Sequence, residues 1–317
     1  MKTSAVVMQA PQDLVISQLE LDGAGDADVI VDIDFSGIST GTEKLLWSGR
    51  MPAFPGMGYP LVPGYESVGH VVSAGPAAKH RVGDAVFVPG ARCFGPVRGL
   101  FGGAAARLVV SDDRVYDIDA ALGESAVLLA LAATAYHAVS GGGKRSPVSA
   151  PDLIIGHGVL GRLLARLTVA AGLPPPTVWE LDAGRSEGAR GYEVIQPEAD
   201  KKRDYRAVYD VSGDVRIIDK VMPHLAKGGE IVLAGFYAEP LAFSFPPAFM
   251  REAQIRAAAE WQRPDLLAVK ELAETGRLSL DDLITHRDEP TRADAAYRTA
   301  FGDSDCLKMV LDWRSIQ

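Results

Sequence analysis

The sequence predicts an α/β protein of two domains, a small β-barrel domain and a doubly wound parallel sheet. Residues 1–125 contain many short apolar stretches separated by Gly, Asp and Pro, a pattern typical of a small barrel. From residue 151 onward strand-like and helix-like stretches alternate, which favours a parallel sheet. The apolar run 153–155 passes through G-x-G-x-x-G into a helical pattern, as expected for a strand, a tight turn and a helix.

Each element follows from local periodicity and from its flanking turn residues. In the first region, strands are predicted at 4–8, 14–19, 29–35, 66–72, 84–88 and 105–110. An apolar helix is predicted at 126–139, followed by strands at 152–155, 177–181, 207–211 and 230–236 and helices at 159–171, about 214–226 and about 264–275. Residues 283–286 and 306–313 again resemble strands and are expected to return to the β domain. The predicted β domain is therefore 1–125 with 277–317, and the nucleotide-binding domain is 126–276.

Composition and charge narrow the class of protein. The chain has 317 residues, enough for about two domains. Its net charge of −9 provides no basic surface for nucleic acid. The two cysteines, Cys93 and Cys306, have no Cys or His partner at metal-ligand spacing. We expect no signal peptide and no apolar run of the roughly 20 residues that span a membrane, hence a cytoplasmic protein, with peripheral membrane contact left open.

The glycine motif predicts a dinucleotide site. Gly156 suits the tight turn, Gly158 lets a pyrophosphate approach the backbone, and Gly161 lets the helix pack on the strand. Val159 and Leu160 lie in the first helical turn, whose N–H groups and dipole favour a diphosphate.

An acidic residue after the second strand predicts the choice of dinucleotide. Glu180 lies 19 residues after Gly161 (180 − 161), close to the spacing of the carboxylate that holds the adenosine ribose. A carboxylate there repels a 2′-phosphate, so NAD is favoured over NADP. Asp182 is the alternative acidic residue for the contact with the ribose. Arg185, further along the chain, weakens the predicted preference for NAD.

The order of the domains and several motifs resemble the medium-chain dehydrogenase/reductase superfamily. The motifs are S-G-I-S-T-G-T-E at 36–43, P-G-Y-E-S-V-G-H-V at 63–71 with G-D-A-V at 83–86, T-A-Y at 134–136, Y-D-V-S-G at 209–213 and G-G-E-I-V-L-A-G at 228–235. The resemblance implies an N-terminal GroES-like β-barrel domain and a Rossmann domain. It also implies cofactor contacts from Thr40, Thr134, Ser212 and Gly235.

Three departures from the superfamily concern zinc. By resemblance, zinc-dependent members present Cys, His and Cys where this chain has Ser39, Tyr65 and Ala130. Catalytic zinc takes three protein ligands of the His, Cys or carboxylate type, so Glu66 alone cannot hold it. The glycine-rich segment 90–103 also lacks the cysteines of a structural zinc lobe. We therefore expect no metal.

Further motifs resemble one branch of this superfamily, which oxidises the 3-(1-hydroxyethyl) side chain of a (bacterio)chlorophyllide to 3-acetyl with NAD. The motifs are S-G-I-S-T-G-T-E-K-L-L-W-S-G, G-Y-P-L-V-P-G-Y-E and the ending T-H-R-D…C-L-K-M-V-L-D-W. The resemblance implies a macrocyclic pigment substrate. Apolar loop residues either wall a wide cleft for it or anchor the β domain: Trp47, Met51, Phe54, Met57, Tyr59, Phe94, Leu100 and Phe101.

Oxidising a secondary alcohol without zinc requires another group to manage the hydroxyl proton. Because Tyr65 and Ser39 stand at the vacated ligand positions, Tyr65 is expected to bind the substrate oxygen and relay its proton. Ser39, Thr40 and Thr42 would extend this relay, with His137 as the terminal base.

Each of these roles has a structural alternative. Tyr65 fills the space left by zinc, with its hydroxyl paired to Glu66. Ser39 is a turn hydroxyl, His137 is a packed or paired histidine, and Glu66 orders the site through hydrogen bonds rather than acid–base chemistry.

Two other functions and one partner remain open. The chain is alternatively a zinc-free, NADPH-dependent enone or quinone reductase, or a non-enzymatic sensor or structural protein that binds NAD(H). A homodimer is expected, formed through an edge strand of the nucleotide-binding domain at residues 230–236 and the following 238–245.

Overall fold

The computed structural model describes residues 1–141 and 149–316. Two compact units divide the chain: Met1–Ala130 with Asp281–Gln317, and Leu131–Leu280. The divisions lie a few residues beyond the predicted boundaries at 125 and 276.

The strands follow one another as β1 Lys2–Ala10, β2 Asp13–Glu20, β3 Asp28–Ile38, β4 Leu61–Val62, β5 Ser67–Ala74, β6 Ala85–Val88, β7 Arg98–Gly99, β8 Arg107–Ser111, β9 Tyr116–Asp117, β10 Leu153–Ile155, β11 Thr177–Trp179, β12 Glu193–Ile195, β13 Tyr205–Asp210, β14 Leu225–Leu233, β15 Gln254–Ala257, β16 His286–Asp288 and β17 Met309–Asp312. The α-helices are α1 Thr42–Ser48, α2 Leu129–Ser140, α3 Val159–Ala170, α4 Ile217–Val221, α5 Phe245–Arg251, α6 Arg263–Glu274 and α7 Ala293–Gly302.

The first unit contains two sheets. One has the order β16-β17-β3-β5-β6-β9, with β8 also pairing with β3, and the other has the order β2-β1-β4-β7. Apolar side chains of both sheets form one buried core, and Val6, Ile33 and Leu61 are among its fully buried members. The C-terminal strand β17 pairs antiparallel with β3, with Leu311 opposite Ser36. The end of the chain therefore lies beside the strand that leads into Ser39.

The second unit is a parallel sheet in the order β12-β11-β10-β13-β14-β15. The strand order reverses between β10 and β13, which is the doubly wound arrangement, and ligands bind such sheets at the carboxyl ends of the strands near this reversal. The strand β10 is apolar throughout and buried because helices cover both faces of such a sheet. The predicted fold class is confirmed.

Two sequence predictions of single elements were wrong, and some helices were not predicted. The helix expected at 214–226 is only α4, because Pro223 lies in a 3₁₀ turn at Met222–His224 and β14 begins directly after it. A strand was expected at 283–286, but the observed strand β16 begins at His286, the last residue of that range. Helix α7 was not predicted, although its buried residues recur at helical spacing.

One helical stretch is longer and more apolar than we expected. Ala120–Ser140 has the length and the hydropathy of a membrane-spanning helix, although the sequence analysis expected no such run. It begins as a 3₁₀ helix with a bend at Gly123 and continues as α2. Ala132, Ala133 and Ala138 are fully buried within the protein, as in the core helix of a folded domain.

Candidate active site and cofactor site

The glycine-rich turn between β10 and α3 has the geometry of a diphosphate cradle. Gly156 has a φ of 101°, a conformation that favours glycine. A Cβ at Gly161 would lie 1.9 Å from the Gly156 carbonyl oxygen, so only glycine lets the helix approach. A Cβ at Gly158 would meet no atom within 4 Å, and no side chain caps the first turn of α3. The turn therefore offers open space beside the N–H groups of Val159 and Leu160.

Glu180 follows β11, and its carboxylate is fixed beside this turn. One oxygen accepts the His157 N–H at 2.8 Å, and the other accepts the N–H groups of Leu181 and Asp182 at 2.8 and 2.9 Å. By contrast, the Asp182 carboxylate accepts the Gly184 N–H and caps its own loop. The structure thus sets Glu180, rather than Asp182, against the glycine turn.

A buried histidine connects the glycine turn to the loop that carries Arg185. The His157 Nδ1–H donates to the Arg185 carbonyl at 2.6 Å, and Nε2 accepts from the Tyr192 hydroxyl at 2.8 Å. Burial lowers the pKa of His157 to about 4, so the ring is neutral at physiological pH. The Arg162 guanidinium donates to the carbonyls of His157 and Arg185. The backbone carbonyl of Arg185 therefore accepts hydrogen bonds from both His157 and Arg162.

Ser212 and Gly235 follow the carboxyl ends of β13 and β14. The Ser212 hydroxyl donates to the Asp210 carboxylate at 2.6 Å, and the Gly235 N–H donates to the Asp210 carbonyl at 2.9 Å. Tyr237 also donates to the Asp210 carboxylate. Burial raises the pKa of Asp210. Both predicted residues therefore lie at the same edge of the sheet as the glycine turn.

His137 and Thr134 lie on α2, and His137 has a carboxylate partner. Its Nδ1 lies 2.7 Å from the Asp265 carboxylate, which also accepts the Gln262 N–H at the start of α6. Both side chains are buried. This pairing is the structural alternative for His137, and its role as a terminal base stays a prediction.

Tyr65 and Ser39 meet in the first unit. Their hydroxyl oxygens lie 2.6 Å apart, and Tyr65 also forms a hydrogen bond with the Thr42 side chain at the start of α1. Ser39 is buried, whereas Tyr65 and Thr42 are partly accessible and Thr40 is exposed. Burial and nearby carboxyl groups raise the pKa of Tyr65 well above its ordinary value. The phenol is therefore neutral. It is the middle member of three hydrogen-bonded hydroxyl groups, which run from the partly accessible Thr42 through Tyr65 to the buried Ser39.

Glu66 does not pair with Tyr65. Its carboxylate accepts from the Lys308 ammonium at 2.6 Å, and both side chains are almost completely buried. Lys308 also donates to the Ile38 carbonyl at 3.2 Å. The alternative in which Tyr65 pairs with Glu66 was therefore wrong, because the Tyr65 hydroxyl bonds to Ser39 and Thr42 and Glu66 bonds to Lys308.

A second buried carboxyl group, Glu43, was missed by the sequence analysis. It accepts the Ser39 N–H at 3.1 Å and the Tyr297 hydroxyl at 2.7 Å. Burial, and to a smaller extent nearby Glu66, raises the pKa of Glu43 to about 7. A signal existed, since Glu43 and Leu46 are three residues apart on α1 and share its buried face.

The apolar loop residues divide between the two roles considered for them. Met51, Phe94 and Leu100 belong to the buried core of the first unit. Trp47, Met57 and Tyr59 pack against it while partly exposed. By contrast, Phe54 and Phe101 are exposed, and the Phe101 ring contacts Tyr65 edge-on with centroids 5.1 Å apart.

The three expected zinc-ligand positions lie within residues 1–141 and 149–316, which the structure describes. No group of three or more His, Cys, Asp or Glu side chains in these residues is placed to hold a metal ion. Ala130, at the third expected ligand position, is buried at the second residue of α2.

The fold and the two sites define an oxidoreductase of the alcohol dehydrogenase type. Residues 25–120 match the alcohol dehydrogenase GroES-like domain. Among solved structures, 2R,3R-butanediol dehydrogenase from Bacillus subtilis is similar, with a TM-score of 0.83, 19% identity and coverage of 98% of this chain and 99% of that one. A Sinorhizobium meliloti dehydrogenase bound to NADP and an Escherichia coli alcohol dehydrogenase complexed with NADH each give a TM-score of 0.82, at 19% and 21% identity and the same coverage.

Two curated relatives narrow the class further. The 2-desacetyl-2-hydroxyethyl bacteriochlorophyllide A dehydrogenases of Cereibacter sphaeroides and Rhodobacter capsulatus are each 57% identical to this chain, over 99% of the chain and 99% of each relative. The chain therefore belongs to the bacteriochlorophyllide dehydrogenase family of the medium-chain dehydrogenases/reductases.

Proposed function

We propose that this protein oxidises the 3-(1-hydroxyethyl) group of a bacteriochlorophyllide to 3-acetyl, with NAD as the acceptor and without zinc. The observation that carries the reaction is the 57% identity to two dehydrogenases named for this substrate, over nearly the whole of all three chains. The residues of the two sites support the remaining parts of the proposal.

The dinucleotide fits the residues around the glycine turn. The open position at Gly158 and the uncapped start of α3 suit a diphosphate, and Glu180 suits the adenosine ribose. When bound there, NAD supplies the acceptor for the hydride of the alcohol carbon. The Glu180 carboxylate would face a 2′-phosphate with like charge, which favours NAD over NADP.

The proton of the alcohol is the part of the reaction that this chain must manage. We assign Tyr65 to the substrate hydroxyl because it is partly accessible and bonded to Ser39. Because its pKa is raised, Tyr65 acts as a neutral relay: it takes the substrate proton as it passes its own to a neighbouring hydroxyl, and that chain of hydroxyl groups releases a proton to water at the accessible surface beside Thr42. Ser39 and Thr42 are the two acceptors in hydrogen-bond contact.

Zinc independence is supported by the chemistry of the donor set. Ser39, Tyr65 and Ala130 are poor or impossible zinc ligands. Of the two carboxyl groups nearby, Glu43 accepts from the Ser39 N–H and the Tyr297 hydroxyl, and Glu66 accepts from the Lys308 ammonium at 2.6 Å. A divalent cation at the Glu66 carboxylate would meet a buried positive charge.

The substrate would lie against exposed aromatic side chains beside Tyr65. The ring of Phe101 contacts Tyr65 and remains exposed, as does Phe54. Flat apolar rings favour stacked or edge-on contacts with aromatic residues. We assign Phe101 to contact with the pigment macrocycle next to its hydroxyethyl group.

A homodimer through the exposed edge of the parallel sheet is also proposed. The edge strand on the β14 side of the sheet is β15, whereas residues 230–236, expected to form the edge, mostly lie in the interior strand β14. Ile255 on β15 and Phe249 and Met250 on α5 are exposed apolar side chains beside that edge. An unprotected strand edge with an adjoining apolar surface favours pairing with a second copy.

The function is tested by following pigment absorption and NADH formation together. Purified protein is mixed with the hydroxyethyl bacteriochlorophyllide and NAD, with NADP and simple alcohols as comparisons. A shift of the long-wavelength pigment band with stoichiometric NADH supports the proposal. Activity on small enones with NADPH would indicate a reductase instead. Cofactor binding without any turnover would favour the non-enzymatic sensor.

A further inference from the structure

Behind the Tyr65–Ser39 pair, two buried carboxyl groups lie near one buried ammonium, which forms a hydrogen bond with one of them. Lys308 donates to Glu66 and to a backbone carbonyl, whereas the donors to Glu43 among the described residues are two neutral groups, the Ser39 N–H and the Tyr297 hydroxyl. Glu43, Glu66, Lys308 and Tyr297 are all 1% exposed or less. One positive charge balances one carboxylate, so ionised Glu43 would be an additional buried charge.

This arrangement makes Glu43 a group that changes charge near neutral pH. Burial, with a smaller contribution from Glu66, raises the pKa of Glu43 to about 7, although the Tyr297 hydroxyl, the Ser39 N–H and the Lys308 ammonium lower it. The groups that face Glu43 come from α7 (Tyr297), from the segment before β5 (Tyr65 and Glu66) and from the residue before β17 (Lys308). On α1 itself, Lys44 donates to the Phe301 carbonyl.

Glu43 is connected to the reacting hydroxyl groups through a single residue. The backbone N–H of Ser39 donates to Glu43, and the hydroxyl of the same Ser39 lies 2.6 Å from the Tyr65 hydroxyl. A carboxylate is a stronger acceptor than a neutral carboxylic acid. Loss of the Glu43 proton therefore tightens the hold on Ser39 and adds negative charge beside the relay.

We propose that Glu43 is a positioning residue whose ionisation holds Ser39 in place against the Tyr65 hydroxyl, so that Tyr65 can pass the alcohol proton through Thr42 to water. The inference rests on the proposed role of Tyr65. In the protonated state of Glu43, Ser39 is held more weakly and the relay accepts the proton less readily. Alcohol oxidation therefore increases with the ionised fraction of Glu43, by about tenfold between pH 6 and pH 8 for a group titrating near 7.

A measurement on Tyr65 itself separates this inference from the proposed reaction. The protein is labelled with 13C at the phenolic carbon of its nine tyrosines, and the Tyr65 resonance is assigned by its loss in Tyr65→Phe. We expect this resonance to titrate with a midpoint near pH 7 in the unmodified chain. The midpoint should move to higher pH in Tyr297→Phe, which removes a donor that stabilises the carboxylate. The titration should be absent in Glu43→Gln.

The matched control is Asp294→Asn, which alters an exposed carboxylate on α7 and should leave the titration unchanged. The rate of pigment oxidation is then measured over the same pH range. Glu43→Gln should hold the rate near the low-pH value of the unmodified protein at every pH, with little change in KM.

A Tyr65 resonance that does not titrate in the unmodified chain would overturn the inference. So would a titration that persists in Glu43→Gln or keeps its midpoint in Tyr297→Phe. If Glu43→Gln does not fold, the Tyr297→Phe shift still decides the question. Absence of pigment turnover together with the expected titrations would reject the reaction and support the coupling of Glu43 to Tyr65.

Discussion

The hydroxyl groups of Tyr65 and Ser39 lie 2.6 Å apart, at two positions where the sequence resembles zinc-dependent enzymes that carry metal ligands instead. Both residues follow from one local arrangement: Ser39 comes directly after β3, and Tyr65 lies just before β5, the strand that pairs with β3. The same strand pairing that would assemble two ligands here brings two hydroxyl groups into hydrogen-bond contact.

Removing the Tyr65 hydroxyl should reduce turnover more than binding. Tyr65→Phe keeps the ring that contacts Phe101 but cannot transfer a proton. A positioned proton-transfer group contributes about 10²–10⁴-fold to a rate, so kcat should fall by about that factor while KM for the pigment changes little. Ser39→Ala, which leaves Thr42 as a second acceptor, should lower kcat by less. Equal activity of Tyr65→Phe and the unmodified enzyme would contradict the relay.

Breaking the buried pair of Glu66 and Lys308 should strongly destabilise the first unit. Lys308→Met leaves Glu66 buried without its cation, which costs about 3–5 kcal/mol in comparable cases. Replacing both residues, as in Lys308→Met with Glu66→Gln, should recover part of that loss because no uncompensated charge remains. Urea denaturation measures both. A double variant that is less stable than Lys308→Met alone would argue against this explanation.

The ionisation of Glu43 should make stability depend on pH in a definite direction. The folded-state pKa of about 7 exceeds the ordinary carboxyl value of 4.5, so the native state binds this proton more tightly than the unfolded chain. This contribution is fully present below about pH 4.5 and is lost as the pH rises through about 7. The free energy of unfolding should therefore fall more steeply between pH 5 and pH 8 in the unmodified protein than in Glu43→Gln. Parallel curves for the two proteins would refute the assignment.

Cofactor preference should depend on Glu180 and not on Asp182. Glu180→Gln removes the charge that opposes a 2′-phosphate and weakens an acceptor for the ribose, so the preference for NAD over NADP should narrow by about tenfold or more. Asp182→Asn should retain the original preference, because Asp182 caps its own loop. The ratio of kcat/KM for the two cofactors measures this. The reverse pattern would assign the ribose to Asp182.

The exposed edge of the parallel sheet should control self-association. Ile255→Lys places a charge beside the edge of β15 and should convert a dimer to a monomer in light scattering coupled to size-exclusion chromatography. Leu267→Lys, on the exposed side of α6, is the matched control for an exposed apolar residue. A monomeric unmodified protein, or a dimer that survives Ile255→Lys, would exclude this interface.

The sequence predicted the features that depend on neighbouring residues. Short sequence patterns predict the glycine turn, the carboxylate at Glu180 and most core strands. None of these patterns is longer than about twenty residues. The Glu66–Lys308 pair could not be predicted in this way, since its members are 242 residues apart and meet only because β17 returns to β3. Lys308 lies between the apolar residues Leu307 and Met309, which indicates that it is buried. The sequence does not indicate which acidic residue it would pair with.

Two further differences between the sequence predictions and the structure also arise from contacts between distant parts of the chain. The edge strand β15 is short and mixed in polarity, so residues 230–236 were favoured for the edge although they mostly form the more apolar strand β14. His137 was considered as a base because of its side-chain chemistry, but its partner Asp265 lies 128 residues away on another helix. Long-range pairing, rather than local propensity, decides the surroundings of such residues.

The most direct test of the central claim is the rate of pigment oxidation by protein whose metal content has been measured. The protein is treated with a strong chelator, its zinc is quantified by mass spectrometry, and oxidation of the hydroxyethyl bacteriochlorophyllide with NAD is followed by absorption. We predict full activity with far less than one zinc per chain, and loss of that activity in Tyr65→Phe. Activity that disappears with the metal and returns on adding zinc would contradict a relay built on Tyr65 and Ser39.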